Sequence, residues 1–329
     1  MSGVKIQNQV SNPTATENVT LAKLCMTEHS QITPSSRLEL MLDLRSTIKD
    51  KASTLTKTQK QQLAELVKYI CDWPLLIDLS KRGFVNPTCH EVVFPYIQLG
   101  DFKKGLSTLN NWIIELPADK KLLAQQTYLK SKLTEKDYKE VLVKTGKIHI
   151  TPLEYHHVSD FIWQFADPAI AELCSMPKFE SAEHWINWLY ECKRDNHQHL
   201  YAIVHEEWGF IGSVCLLLHN KLGFFYYWLG KDFQGQGLGP RAVRILLDIG
   251  YKKLGMESCF TKIFDHNTSS HKAITKLDFD KLPFTAIAPS ENEIFYYQGK
   301  ETHSETLYQQ LFWLLEKLNS GITLSPLQQ

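Results

Sequence analysis

Gln234-Gly235-Gln236-Gly237-Leu238-Gly239-Pro240 stands between an aromatic run, Gly223-Phe224-Phe225-Tyr226-Tyr227-Trp228-Leu229, and an amphipathic pattern over Leu238–Leu254. A strand that turns through glycines into a helix presents unpaired N–H groups and the positive end of the helix dipole, which suits a phosphate. Glycine allows positive φ and close approach of a ligand to the backbone. Pro240 falls in the first helical turn, where its missing N–H costs little. Three phosphate patterns compete for this loop. The P-loop needs Gly-Lys-Ser/Thr, and Gly239-Pro240-Arg241 lacks it. The dinucleotide pattern G-x-G-x-x-G needs a glycine at position 240, where proline stands. The pattern Q/R-x-x-G-x-G/A is met through Gln234, Gly237 and Gly239. A plain glycine turn before a helix would meet it too.

The texture around the loop extends the reading. Lys147–Thr151 alternates as a strand, with Ile148 and Ile150 on one face. Helical patterns follow near Glu154–Phe165 and Ser181–Lys193, the second capped by Ser181 with Trp185, Trp188 and Leu189 inward. Leu200–His205, Phe210–Leu218 and Gly223–Leu229, joined by tight turns, predict an antiparallel meander. After the loop come the helix Leu238–Leu254, a strand Ser258–Phe264, a helix Ser269–Lys276 and short strands near Thr285–Ala288 and Glu293–Tyr297. Leu307, Leu311, Leu314, Leu315 and Leu318 form a stripe on a last helix, Thr302–Leu318, which docks on its own chain or on a second copy.

Asn267-Thr268-Ser269-Ser270-His271-Lys272-Ala273-Ile274-Thr275-Lys276-Leu277-Asp278-Phe279 lies 33 residues after Gln234, counting from 234 to 267. It resembles the stretch N-x-x-S-x-x-A-x-x-K-L-G-F of GNAT acyltransferases, whose coenzyme A loop has the Q/R-x-x-G-x-G/A pattern. The resemblance covers roughly 147–298 and is nearest to the branch that acetylates ribosomal-protein N-termini. It implies an α+β GNAT fold, a mixed central sheet with flanking helices, preceded here by an all-α domain. Asp278 replaces the family glycine and tolerates left-handed backbone better than most residues; Arg241 stands where this branch often has Glu.

The resemblance implies an acyl-CoA co-substrate, acetyl-CoA by default, and direct attack by a primary amine. Gln234, Gly235, Gln236, Gly237, Leu238 and Gly239 would hold the pyrophosphate. Trp228 and Leu229 would face the pantetheine and polarise the carbonyl, and Asn267 would bond the cofactor arm. Ser270 would donate to the leaving thiolate, beside a local helix-start role. An attacking alkyl amine is mostly protonated at neutral pH, so some group must take a proton. The aromatic strand holds no carboxylate; Tyr226, Tyr227, His219, Asp265 and His266 stay open as the base, with Tyr227 entered as a catalytic candidate. The acceptor is a peptide, a protein or a small molecule. A longer acyl chain placed on a Lys or ornithine of a precursor peptide, and a non-catalytic acyl-CoA-binding scaffold, are the competing readings.

The 329 residues suggest more than one domain: a disordered tail over 1–20, a helical recruitment domain over 21–145, the acyltransferase domain over 146–300 and a terminal helix and tail over 301–329. In the helical half, the run Arg37–Leu44 follows Pro34-Ser35-Ser36, a capping serine, and Thr58–Cys71 turns Leu63, Leu66 and Ile70 to one face. Tyr96–Leu106 with Leu116-Pro117 resembles a tetratricopeptide repeat, faintly echoed at Lys136–Leu142; a plain helical bundle fits as well. No strand is expected before residue 147.

Charge is balanced at 36 basic and 36 acidic residues, which argues against nucleic acid bound through a bulk positive field. Seven scattered cysteines without C-x-x-C indicate neither a zinc ribbon nor a disulfide framework. His156-His157 and His197-Gln198-His199 lack spaced co-ligands, so no metal is expected and these read as solvated surface histidines. The polar start, without an apolar signal run, and the lack of a ~20-residue apolar span predict a soluble cytoplasmic protein.

Overall fold

The computed structural model describes residues 32–85, 89–134, 144–145, 147–174, 176–289 and 292–325. The tail expected over 1–20, the helical pattern before residue 32 and the turn echo at Lys136–Leu142 lie outside these residues. Backbone contacts divide the chain into two compact units, Met1–Asn86 and Pro87–Gln329.

The first unit contains α1 (Pro34–Lys51), α2 (Lys57–Tyr69) and α3 (Trp73–Lys81). Helix α1 begins at Pro34, before either serine of the expected cap. Pro34 opens it, Thr33 Oγ1 accepts from Ser36 N at 3.3 Å, and Ser36 Oγ accepts from Thr33 N at 3.1 Å. Thr33 therefore caps, and Ser36 completes the reciprocal pair. Met41, Leu44, Ile48, Leu63, Val67, Ile70 and Leu79 are buried. Asp72, buried among them, caps α3 through Leu75 N and takes a bidentate pair from Arg45 at 2.7 and 3.0 Å.

The second unit opens with α4 (Cys89–Gln98), α5 (Phe102–Glu115) and α6 (Lys120–Thr134). Asp101 caps α5, and Gly105 lies so close to Tyr96 that an added Cβ would stand 3.2 Å from the tyrosine Cβ. The rest of the unit runs β1 (Lys144–Thr145), β2 (Ile148–Pro152), α7 (Val158–Phe165), α8 (Pro168–Cys174), α9 (Ala182–Arg194), β3 (Gln198–His205), β4 (Gly209–His219), β5 (Leu222–Leu229), α10 (Leu238–Lys253), β6 (Ser258–Phe264), α11 (Thr268–Thr275), β7 (Asp280–Ala288), β8 (Glu293–Gln298), α12 (Ser304–Lys317) and β9 (Thr323–Leu324). The strands form one sheet in the order β1-β2-β3-β4-β5-β6-β8-β7-β9. Every described pairing is antiparallel except β5 with β6.

The α+β architecture with a mixed sheet agrees with the expectation, and so does the helical character of what precedes it. Strand β1, helix α8 and strand β9 were not anticipated; the two strands have two residues each, too few to show a period. One sheet face packs on α10 and α11 through Ile211, Val214, Phe225, Val243, Leu246 and Ile274. The other face is covered twice. Phe161, Trp185 and Leu189 meet Phe210 and Trp228, while Leu307, Leu311 and Leu314 meet Phe224, Phe260 and Phe295. Helix α12 thus docks on its own chain.

His156-His157 departs from the surface reading. The short turn Tyr155–His157 tucks inward, His157 is buried against Phe210, and burial pushes the His156 imidazole down to about 4. Beside them Glu154 pairs with Lys132 at 3.3 Å and with Lys193 at 3.0 Å. His197 is exposed and stacks on His219 at 4.0 Å. Among the described residues no group of three or more His, Cys, Asp or Glu could hold a metal, and no helix is long and apolar enough to cross a membrane.

Candidate active site

Strand β5 pairs with β4 along its whole length, Leu222–Leu229 against Gly212–His219, but with β6 only over Leu222–Phe224. Beyond Phe224 the two parallel strands part and leave a wedge. Carbonyl oxygens on the wedge side are met by side chains: Thr261 Oγ1 donates to Phe225 O at 2.9 Å, and Gln234 Nε2 to Leu229 O at 3.0 Å. Strand alternation therefore turns the N–H of Phe225, Tyr227 and Leu229 toward the wedge as well. Trp228 turns the other way, since its backbone pairs with Ser213 and its ring is buried with Phe161 and Phe165. Leu229 is thus placed as a backbone donor, and Trp228 as a wall.

The loop that follows is shaped by glycines with different duties. Gly235 and Gly237 have φ of +74° and +73°, and a Cβ on either would meet nothing within 4 Å. Open space lies in front of the backbone there. Gly239 serves packing instead: a Cβ would stand 2.6 Å from Tyr227 Cε2. Gly237 is the N-cap of α10 with no side-chain cap, and the first turn carries no acidic residue. The helix start therefore offers uncapped N–H groups and a positive dipole end. Gln234 braces β5, and Gln236 Nε2 donates to Asp232 O at 2.8 Å, so both side chains hold the loop rather than project from it.

A cavity of about 390 Å³ joins the wedge to this loop, with Gln234, Gly235, Gly237, Leu238, Gly239, Asn267, Ser270, Tyr227, Trp228 and Leu229 in its lining. Of the sequence-derived site residues only Gln236 is not in the wall. Asn267 caps α11, its Oδ1 accepting from Ser270 N at 3.1 Å, so the asparagine has the structural duty and the serine hydroxyl is left for another. Burial raises the Tyr227 pKa, with the Ser270 bond opposing it. A phenol so placed stays protonated at neutral pH. Asp278, at the end of the α11 segment, has φ of +58°, the left-handed geometry expected where the family has glycine.

The other open candidates for a base separate clearly. Tyr226 lines the cavity but is held protonated by burial. His219, Asp265 and His266 are not in its wall. The carboxylate that the aromatic strand lacked comes from β8. Glu293 lines the cavity and is 3% exposed; its Oε1 pairs with Lys262, and its Oε2 has no hydrogen-bond partner among the described residues. Such a buried oxygen is costly unless something binds it. Strand alternation held the signal: Glu293 shares its face with the buried Phe295 and Tyr297.

Residues 147–280 match the family model described as Acetyltransferase (GNAT) domain. No curated protein matches the chain. Among solved structures, ribosomal-protein-S5-alanine acetyltransferase from Vibrio fischeri is 18% identical, covering 48% of this chain and 96% of its own, with a TM-score of 0.42. Spermidine N-acetyltransferase from Vibrio cholerae, in complex with CoA and spermine, is 14% identical over 47% of this chain and 96% of its own, with a TM-score of 0.42. An acetyl transferase from Salmonella typhimurium that modifies the N-terminal serine of ribosomal protein L7/L12 is 15% identical over 49% of this chain and 99% of its own, with a TM-score of 0.42.

Proposed function

We propose that the GNAT acetyltransferase domain formed by residues 147–280 transfers an acyl group from acyl-CoA, acetyl-CoA by default, to a primary amine of a peptide, protein or small molecule. The observation that carries this reading is the wedge beside β5 running into the uncapped start of α10, with open space at Gly235 and Gly237. A pyrophosphate at that helix start would receive backbone N–H groups, and the pantetheine would lie along β5.

The residues then divide the chemistry. Leu229 N–H would bond the thioester oxygen as it gains negative charge. The acceptor arrives as an ammonium and passes a proton to Glu293 Oε2, which frees the nitrogen lone pair. Nitrogen attacks the carbonyl carbon and forms the C–N bond; the C–S bond breaks as the intermediate collapses. The departing thiolate takes a proton from Tyr227, which recovers one through Ser270 from the attacking nitrogen. The products are amide and thiol, and the proton on Glu293 returns to solvent. Glu293 also bears against the non-catalytic scaffold reading, which a missing carboxylate had motivated. The helical part before the sheet is assigned acceptor recruitment, in a cytoplasmic setting.

The test is thermal stabilisation by CoA thioesters from acetyl to palmitoyl, with free-thiol release in the presence of amines. Acetyl-CoA is expected to stabilise the protein and Gly237→Asp to abolish the shift, by placing a carboxylate against the pyrophosphate. Equal shifts in both proteins would sink the loop assignment, and binding without thiol release on any amine would sink the transfer reading.

A further inference from the structure

The face of the sheet opposite α10 holds a charge pattern that acyl transfer alone does not require. Phe224, Phe260 and Phe295 are buried together on that face. Alternation puts Tyr226, Lys262 and Glu293 on the same side, and register confirms it by pairing Lys262 with Phe295. Lys262 and Glu293 form an ion pair in the cavity wall, with side-chain exposures of 22% and 4%. The remaining charged lining residues, Lys272 and Lys276, belong to α11 and its C-terminal end, on the α10 side.

A site that served only to take a proton from a cationic amine would gain from an unneutralised carboxylate. Here the carboxylate already has a cation on one oxygen. An ammonium docked on Glu293 Oε2 alone would create a buried plus-minus-plus row with net positive charge, which a low-dielectric wall penalises. A second cationic centre on the acceptor would add like-charge repulsion from Lys262. An acceptor whose amine stands beside a carboxylate removes both costs. Its ammonium meets Oε2, its carboxylate meets Lys262 Nζ, and four alternating charges close on one another with no net charge.

We propose that Lys262, paired with Glu293, is a specificity-determining residue that selects acceptors carrying an anionic group next to the amine, the α-amino acid being the simplest, and disfavours polyamines. This rests on the N-acyltransfer reading above. The Lys262 head then acts on the acceptor and leaves acyl-CoA binding alone.

The test compares kcat/KM at one pH for leucine, leucinamide, 3-methylbutylamine and 1,5-diaminopentane with acetyl-CoA, read as thiol release. Leucine is expected to exceed 3-methylbutylamine and the diamine by at least tenfold. Lys262→Arg is expected to keep that ratio, and Lys262→Met to bring it below threefold. Thermal stabilisation by acetyl-CoA reports whether each variant is folded, and the wild-type ratio decides the matter even where Lys262→Met is not. A diamine or 3-methylbutylamine used as well as leucine by the wild type overturns this inference and leaves acyl transfer standing. A ratio unchanged in folded Lys262→Met also overturns it. No thiol release with any of the four amines, despite acetyl-CoA stabilisation, overturns the transfer reading and this inference together.

Discussion

The two sides of the cleft are made of different material. On the side of α10, the groups proposed to hold acyl-CoA are backbone: N–H groups at a helix start, glycines at φ of +74° and +73°, and the strand edge at Leu229. On the opposite side they are side chains delivered by separate strands, Lys262 from β6 and Glu293 from β8. A backbone site is specified by residues adjacent in sequence, and its shape survives most side-chain changes. A side-chain site depends on pairing and burial, and one substitution removes its chemistry. The first kind suits a constant ligand such as a pyrophosphate, and the second an acceptor that differs between proteins.

This difference can be attacked directly. The largest effect is expected from Glu293→Gln, which should lower kcat/KM for the amine by ~10²-fold or more while the acetyl-CoA shift stays within error. A parallel loss of acetyl-CoA binding would mean that the two sides are not independent. Tyr227→Phe should cost less, about tenfold in kcat with KM for acetyl-CoA unchanged, because Ser270 and water remain to serve the thiolate. An unchanged kcat would remove Tyr227 from the proton path.

Side-chain environments also answer to pH where backbone does not. His156 is held down to about 4 and His157 well below its ordinary value, chiefly by burial. Below 6.5 the unfolded chain takes protons that the folded protein refuses, so the stability is full above 6.5 and falls as pH drops toward 4. Urea midpoints between pH 7.5 and 4.5 should show this decline, and His156→Gln should flatten it. A wild-type midpoint constant over that range would contradict the buried placement. The smallest effect tests local backbone. Asp278→Gly relieves a non-glycine residue at φ of +58° and should stabilise by less than ~1 kcal/mol, since glycine's added freedom when unfolded offsets much of the gain. Destabilisation by that change would show that the carboxylate, not the turn, matters at 278.

The strands and helices around the loop were legible because their apolar residues keep a period between turn residues, as in β6 (Ser258–Phe264) and α10 (Leu238–Lys253). Helix α8 was not, although Ile170, Leu173 and Cys174 wall the cavity. Its seven residues begin at Pro168 and make only two turns, too few for Ile170, Leu173 and Cys174 to stand out as a period. The histidines at 156 and 157 were misread for a related reason: nothing local distinguishes an imidazole turned inward from one turned to water.

By itself the sequence determined that Gln234–Gly239 turns through glycines into an uncapped helix start, because glycine geometry and helix polarity are local properties. It also determined the companion segment Asn267–Phe279, down to the left-handed turn at Asp278. Only the tertiary structure decided that burial raises the proton affinity of the Tyr227 phenol. Only the sheet brought Glu293 to the cleft: strand order sets β8 beside β6, and Phe264 pairs with Glu293 where that residue lines the cavity.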